Sequence, residues 1–480
     1  MIILGTNSIK DTGFDVANSA RFGVNTYMHK AFSSDNEKDT WTFSLWVKRG
    51  NSGSTQRMMT HNGATSGKFF YLRWESNEQL HFHIGMSDGN FAGFDTTQVF
   101  RDHSAWYHIV CAVDTTQGTE ANRVKIYVNG SQVTAFGTAN YPAQNTTASI
   151  GRTDTPMVVG ALYGSGFGIT SGSPQEYYDG YLAEVCFIDD AQLAADQFGE
   201  FDSDSGIWKP KDVSGLTFGT DGFYLDFEDS GNLGNDANGG TDLTEVNLAA
   251  TDQSTDTCTN NMPVFNSNDN QRQGFTFTEG NLKITATPSY DYVVATMGVS
   301  SGKWYWETKI ITIPNLDYIY NGISDHNQYQ ADWDMGGEAG QYCLSRVAGK
   351  IKAASGSETT YGGSMVANDI QGFALDVDNL KLYISNNGQW SNGSGAWDST
   401  TFNASTGAIN IAYSTLPGGG THWFPAIGNG SGNIGMEINF GSPVSAISSG
   451  NADGNGYGNM EFPIPSGYFC LNTKNLAEYG

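Results

Sequence analysis

Positive charge is scarce in this chain: 24 Lys and Arg face 50 Asp and Glu, for a net charge of −26 and a pI near 4.4. Such a field repels a phosphate backbone, so nucleic acid is not expected as a direct partner. The acidity reads as solubility, in particular in a salty medium that screens self-repulsion. Cysteine is scarce too. Cys111, Cys186, Cys258, Cys343 and Cys470 are odd in number, widely spaced and without a CxxC pair. That spacing argues against a disulfide framework or a thiolate metal site. Cys111 and Cys186 sit in apolar runs and read as small buried hydrophobes, as expected of a chain folded in a reducing cytoplasm. No run approaches the ~18 apolar residues of a membrane helix. Met1–Leu4 lacks the basic flank and cleavage pattern of a signal peptide. No membrane insertion is expected. Long amphipathic helices are missing as well, and so are heptads and β-helical repeats.

What is present is aromatic and glycine-rich. Aromatics make up 13% of the residues, and 60 glycines are scattered without period. That mixture predicts many short strands joined by tight turns. Thr40–Lys48 alternates, with Trp41, Phe43, Leu45 and Val47 on one face and Thr42, Ser44, Trp46 and Lys48 on the other. Trp106–Val113 is a nearly continuous apolar run, suited to a central sandwich strand. Arg123–Val128 meets Asn129-Gly130, a hairpin turn whose residues must accept positive φ. Lys303–Ile313, Gly372–Asp378 and Lys381–Ser385 repeat this logic, with a turn at Asn386-Asn387-Gly388. Trp423–Ile427 and Met436–Phe440 read as a strand pair around a Gly-rich loop. The one helix expected is short, Asp190–Phe198.

At 480 residues the chain exceeds one core. We expect a first sandwich over 1–211, a strand-containing connector and linker over 212–268, and a second sandwich over 269–480. The main boundary is expected in the apolar-poor stretch Thr251–Asn268.

FSLWVKRG (43–50), WYHIVCAVDTTQGTEANRVKIYVNG (106–130) and YYDGYLAEVCFIDDAQL (177–193) resemble laminin-G-like, concanavalin-type modules. SGKWYWETKI (301–310), GFALDVDNLKLYISNNGQW (372–390) and WFPAIGNGSG (423–432) look like a SPRY-type sandwich. The resemblance implies an all-β chain, two tandem concanavalin-like antiparallel β-sandwiches of jelly-roll type. FGEFDSDSGIWKPK (198–211), DSGNLGNDANGG (229–240), ATDQSTDTCTNN (250–261) and LNTKNL (471–476) are similar to structural proteins of marine tailed bacteriophages. That likeness implies a virion component made in the host cytoplasm, such as a tail-fibre, tail-tip or capsid-appended protein. Its implied partners are other virion proteins and a host-surface glycan or protein. A homo-oligomer would suit a fibre.

Motifs of catalysis are few. Gly298–Gly302 matches G-x-S-x-G and Gly430–Gly435 matches G-x-G-x-x-G, but each is followed by strand-like alternation where its chemistry needs a helix. The carboxylate pairs Asp226/Glu228 and Asp376/Asp378 lack the third acid of concanavalin-type glucanases, and Glu184 lacks the spacing. No catalytic residue is expected. Exposed aromatics suited to a pyranose face are Trp390, Trp397, Trp333 and Trp74, with Trp46 and Tyr163 behind them; Trp390 and Trp397 flank a small polar loop. Oxygen-rich turns are candidate Ca²⁺ ligands, namely Asp332/Asp334, Asp202/Asp204 and Asn451/Asp453/Asn455, although the last loop has Phe462 at its twelfth position. His81 and His83 share a strand face and can ligate a metal, but they lack a Cys partner or HExxH frame, so partly buried or surface histidines are expected. The reading is a non-enzymatic virion protein that binds a glycan or docks its neighbours. Its competitors are a carbohydrate-active hydrolase or lyase and a purely architectural protein without ligand.

Overall fold

The computed structural model describes residues 11–63, 67–163, 174–269, 274–287, 291–313, 318–325, 335–353, 356–415, 419–430 and 432–480. Its contacts divide it into a first unit, Thr12–Thr259, and a second centred on Asn260–Gly480.

The first unit opens with β1 (Ser19–Phe22), β2 (Tyr27–Lys30), β3 (Thr40–Arg49), β4 (Gln56–Asn62), β5 (Phe69–Trp74) and β6 (Gln79–Gly85). It continues with β7 (Phe91–Val99), β8 (Trp106–Asp114), β9 (Val124–Val128), β10 (Ser131–Gln132), β11 (Phe136–Asn140), β12 (Met157–Val159) and β13 (Gly180–Asp189). The short strands β14 (Gly199–Phe201), β15 (Trp208–Pro210), β16 (Phe223–Leu225), β17 (Thr244–Val246) and β18 (Gln253–Ser254) complete it. One sheet runs β10-β9-β8-β3-β13-β1-β18, with β16 added on β13; the other runs β11-β7-β6-β5-β4-β12-β2-β17. The alternation read in Thr40–Lys48 is real: Trp41, Phe43, Leu45 and Val47 all enter the core between the sheets. Phe43 of one sheet stacks on Phe70 of the other at 5.0 Å and on Phe187 at 4.7 Å. Each such ring buries roughly 150–250 Å² at about 25 cal/mol per Å². Asn129 and Gly130 take φ of 48° and 76°, closing the β9–β10 hairpin.

The other face of β3 differs from expectation. Thr42, Ser44, Trp46 and Lys48 are buried, because residues 190–259 lie over it as a further layer. Phe198, Val213, Phe218 and Tyr224 pack on Val110, Cys186 and Ile188 in a second apolar cluster. Ser44 Oγ meets His108 Nε2 at 2.9 Å, and Trp208 Nε1 donates to His108 Nδ1 at 3.1 Å. The stretch 212–268 expected as a connector therefore supplies β16, β17 and β18 to the first unit's sheets. Its polar composition misled because buried Asp and Thr side chains there satisfy neighbouring groups instead of meeting water. The expected helix Asp190–Phe198 is absent; only Ala195–Gln197 forms a 3₁₀ turn. Its start is tied to the sheet instead: Leu193 N donates to Thr42 Oγ1 at 2.9 Å, and Asp190 takes φ 65°. A nine-residue helix could not offset its nucleation cost against those contacts.

The second unit contains β19 (Phe275–Thr278), β20 (Lys283–Ala286), β21 (Asp291–Val294), β22 (Lys303–Thr312), β23 (Tyr318–Ser324), β24 (Gln341–Arg346), β25 (Lys350–Ala353) and β26 (Ser357–Thr360). It ends with β27 (Ile370–Asp376), β28 (Lys381–Asn386), β29 (Gln389–Ser391), β30 (Trp397–Ser399), β31 (Ile409–Asn410), β32 (Phe424–Asn429), β33 (Ile434–Asn439), β34 (Phe469–Cys470) and the helix α1 (Thr473–Tyr479). One sheet runs β19-β20-β33-β22-β27-β28-β29-β30, with β31 on β28 and β34 on β22; the other runs β21-β32-β23-β24-β25-β26. Trp306 stacks on Phe373 at 5.5 Å, and Asn321 Nδ2 donates to Gln371 Oε1 at 2.6 Å between the sheets. β32 and β33 do not pair with each other as expected; they belong to different sheets, so their glycine-rich connection crosses between sheets instead of closing a hairpin. The sequence had no helix at α1, whose Asn472 cap accepts from Asn475 N at 2.9 Å.

Around the join at Thr259/Asn260 the backbone is engaged on both sides. Thr259 Oγ1 accepts from Val16 N at 3.1 Å, and Asn261 N donates to Thr473 Oγ1 at 2.9 Å. Thr251–Asn268 is thus not a free linker. Limited proteolysis of the folded chain should spare it, because cleavage needs a locally opened backbone. Fragments that begin or end within 251–268 at the first time points would contradict this.

Candidate functional site

A cavity of about 370 Å³ lies on the outer face of the second unit's larger sheet. The β28–β29 turn builds one side. Asn387 and Gly388 take φ of 48° and 74°, and a Cβ on Gly388 would come within 2.5 Å of Phe462. That turn sets Trp390 opposite Ser385. Phe402 packs edge-on against Trp390 at 4.9 Å and Tyr383 at 5.0 Å, while Tyr305 stands 6.5 Å from Trp390. The segment Phe462–Ser466 forms the opposite wall. Glu307 holds it: the carboxylate accepts from Phe462 N and Glu461 N, each at 2.8 Å, and from Tyr305 OH at 3.0 Å. Burial pushes the Glu307 carboxyl up to about 7, against the pull of those hydrogen bonds. Ser385, Thr400, Thr401 and Ser466 complete the lining.

The expected aromatic platforms fare unequally. Trp390 does line the cavity, but as a wall with 8% of its surface exposed, not as a loop tip. Trp397 is half-buried; its Nε1 donates to Gly363 O at 2.8 Å and its ring packs edge-on to Tyr361, which makes it a clamp between loops. Trp74 is wholly buried in the first unit's core, under Phe100 and the Arg49 guanidinium. Trp46 is also buried, stacked on His108. Trp333, Asp332 and Asp334 lie outside the described residues. In the turn 451–455 the Asp453 carboxylate is already engaged. Asp453 Oδ1 accepts from Asn455 N and Tyr457 N, and its Oδ2 from Cys470 N and Asn475 Nδ2. Asn451 donates its amide to Met460 O and Glu461 O. This carboxylate closes a turn; a Ca²⁺ ion would have to displace four donors. Asp202 likewise caps its own turn, accepting from Ser205 N at 2.8 Å. Asp376 is bound to Asn379 and to Lys303 Nζ at 3.0 Å, while Asp378 accepts from Gly302 N. Ser300 of the G-x-S-x-G stretch precedes β22, and no helix follows it. Phe402, Phe462 and Tyr305 escaped the sequence reading, since nothing in one strand marks which rings meet across a loop.

Two clusters stand in the first unit. On the outer face of its second sheet, His83 Nε2 lies 2.7 Å and His81 Nδ1 3.1 Å from Asp95 Oδ1. Tyr71 OH reaches His83 Nδ1 at 2.8 Å and is flanked by the guanidinia of Arg57 and Arg73. Burial holds both imidazoles below their ordinary value. In β13, Glu184 takes φ 50° where the register with β3 slips, and its carboxyl accepts from Tyr224 OH at 2.7 Å. Burial first, then the negative charges of Asp226, Glu228 and Asp212, push Glu184 up to about 8, with the Tyr224 hydrogen bond opposing.

Among solved structures, the SPRY domain of human HERC1 aligns at 16% identity and a TM-score of 0.27, covering 36% of this chain and 96% of that one. A human SPRY domain aligns at 14% and 0.26, covering 36% and 96%. The native heptameric SAP-like pentraxin of Limulus polyphemus aligns at 15% and 0.26, covering 38% and 81%. Likeness at such TM-scores carries no argument about ligand. No curated protein matches the chain in sequence. The nearly all-β architecture agrees with one further finding: residues 22–196 match the family described as the concanavalin A-like lectin/glucanases superfamily.

Proposed function

We propose that this chain is a non-enzymatic virion structural protein that holds a neutral host-surface glycan in the cavity beside Trp390. The lining of that cavity carries the reading. A pyranose offers an apolar C–H face and a rim of hydroxyls, and a binding pocket needs an apolar wall with a few placed polar groups. Trp390, Phe402 and Tyr305 supply the wall; Ser385, Thr400, Thr401 and Ser466 supply the polar groups. Among the described residues no Asp, Glu, Lys or Arg lines it, which favours an uncharged sugar. The same lining argues against glycoside cleavage there, since that chemistry needs two carboxyls roughly 5–10 Å apart. The virion part rests on the phrases at 198–211, 229–240, 250–261 and 471–476, and antibody labelling of purified particles tests it: particles that carry no label would remove it.

The glycan part is tested on an array of neutral and charged oligosaccharides with the full chain. Binding should select neutral structures. Thr401→Trp, at an exposed rim position, should plug the cavity and weaken binding at least about tenfold, roughly 1.4 kcal/mol, with unchanged melting temperature. A folded chain silent on the array, or T401W binding like the wild type, would overturn the proposal.

A further inference from the structure

We propose that His81, His83 and Asp95 form a binding site for a late first-row divalent metal ion, with Zn²⁺ as its reference occupant. Strand geometry assembles it. His81 and His83, two apart on β6, point to the same face of the sheet. Asp95 on β7 is the direct cross-strand partner of His81. His83 is opposite Gly93, and a Cβ there would come within 3.2 Å of His83 Nε2. The glycine leaves room for the imidazole. One nitrogen from each histidine and one oxygen from Asp95 lie within 4.8 Å of one another. Bonds of about 2.0–2.2 Å from such N and O ligands to zinc require small movements of these side chains.

Three further observations support a ligand. The His81 side chain is only 13% exposed, and neither ring nitrogen is aligned for a hydrogen bond among the described residues, although Nδ1 lies 3.1 Å from Asp95 Oδ1. His83 has an outer-shell partner: Tyr71 OH meets its Nδ1, fixing the ring while Nε2 faces Asp95. The nearby cations are already compensated. Arg73 pairs with Glu75, and Arg57 Nε lies 2.5 Å from Glu176 Oε2. On binding, His83 Nε2 turns its lone pair to the ion and the single ring proton shifts to Nδ1, where it donates to the Tyr71 oxygen, so the neutral imidazole ligates with no net loss of a proton. Two histidines and one carboxylate leave a coordination position open to water or a ligand oxygen.

The test is calorimetric titration of EDTA-treated full chain with ZnCl₂, alongside Co²⁺ titration followed by visible absorption. The expected result is one equivalent bound, a raised melting temperature reversed by EDTA, and Co²⁺ ligand-field bands. Asp95→Asn keeps all eight histidines and should abolish the stoichiometric step. Tyr71→Phe should weaken it by about 10-fold or more. Metal-free melting of each variant shows that it is folded. No stoichiometric binding by the wild type, or equal binding by folded D95N, would overturn the proposal and leave the trio as hydrogen bonding between β6 and β7.

Discussion

Replacing Asp256 by alanine should destabilise the first unit by about 3–5 kcal/mol, the cost of leaving a buried charge without its partner. The Lys48 side chain is 0% exposed, and its Nζ lies 2.6 Å from Asp256 Oδ2. Burial pulls the Lys48 ammonium below its ordinary value, and the Asp256 carboxylate opposes that pull. Asp256 Oδ1 also accepts from Trp106 Nε1 at 3.1 Å, and its carbonyl accepts from Ser19 Oγ at 2.7 Å. One residue therefore fastens the end of the unit to β3, β8 and β1. Chemical denaturation measures the effect. The double variant Lys48→Met, Asp256→Leu should recover most of the loss, because an apolar pair of similar volume is often as stable as a buried ion pair. A loss below about 1 kcal/mol in D256A, the range of exposed pairs, would show that this pair is hydrated.

Glu184→Gln should reverse a pH effect. The folded carboxyl stands at about 8 against an ordinary 4.5. Between those values the folded chain holds a proton that the unfolded chain has released. Stability from this group is thus fully present below pH 4.5 and is lost as pH rises through 8. The slope is about −1.4 kcal/mol per pH unit, some 4–5 kcal/mol in all. Glutamine keeps an acceptor for Tyr224 OH and has no proton to lose. E184Q should match the wild type near pH 5, exceed it increasingly to about pH 8, and level off above that. Buried His61, His103 and His108, lowered chiefly by burial to about 4, about 3 and about 3, act on the acid side. They are common to both proteins, so the difference between the two curves isolates Glu184. A difference flat in pH would mean that Glu184 is ionised in the fold.

The candidate sites were partly legible. Trp390 was named as a binding aromatic because of the small polar loop beside it, and it does line a cavity. Its partners Phe402 and Phe462 come from segments 12 and 72 residues further along (402 − 390 and 462 − 390), a separation no local pattern reports. His81 and His83 were visible as a same-face pair, but Asp95 joins them only through the β6–β7 register. Trp74 and Trp46 looked available because alternation labels two faces without saying whether both are covered.

The sequence by itself determined the all-β class, the inward row Trp41, Phe43, Leu45 and Val47, and the hairpins at Asn129-Gly130 and Asn387-Gly388. Each depends on side-chain period or on φ preference, which neighbours in the chain settle among themselves. The tertiary structure alone decided that residues 190–259 cover β3, that β32 and β33 part to different sheets, and that Glu184 and Lys48 lie out of water. Those outcomes depend on which distant segments exclude solvent from a given face, and desolvation is a property of the packed ensemble of residues rather than of any one strand.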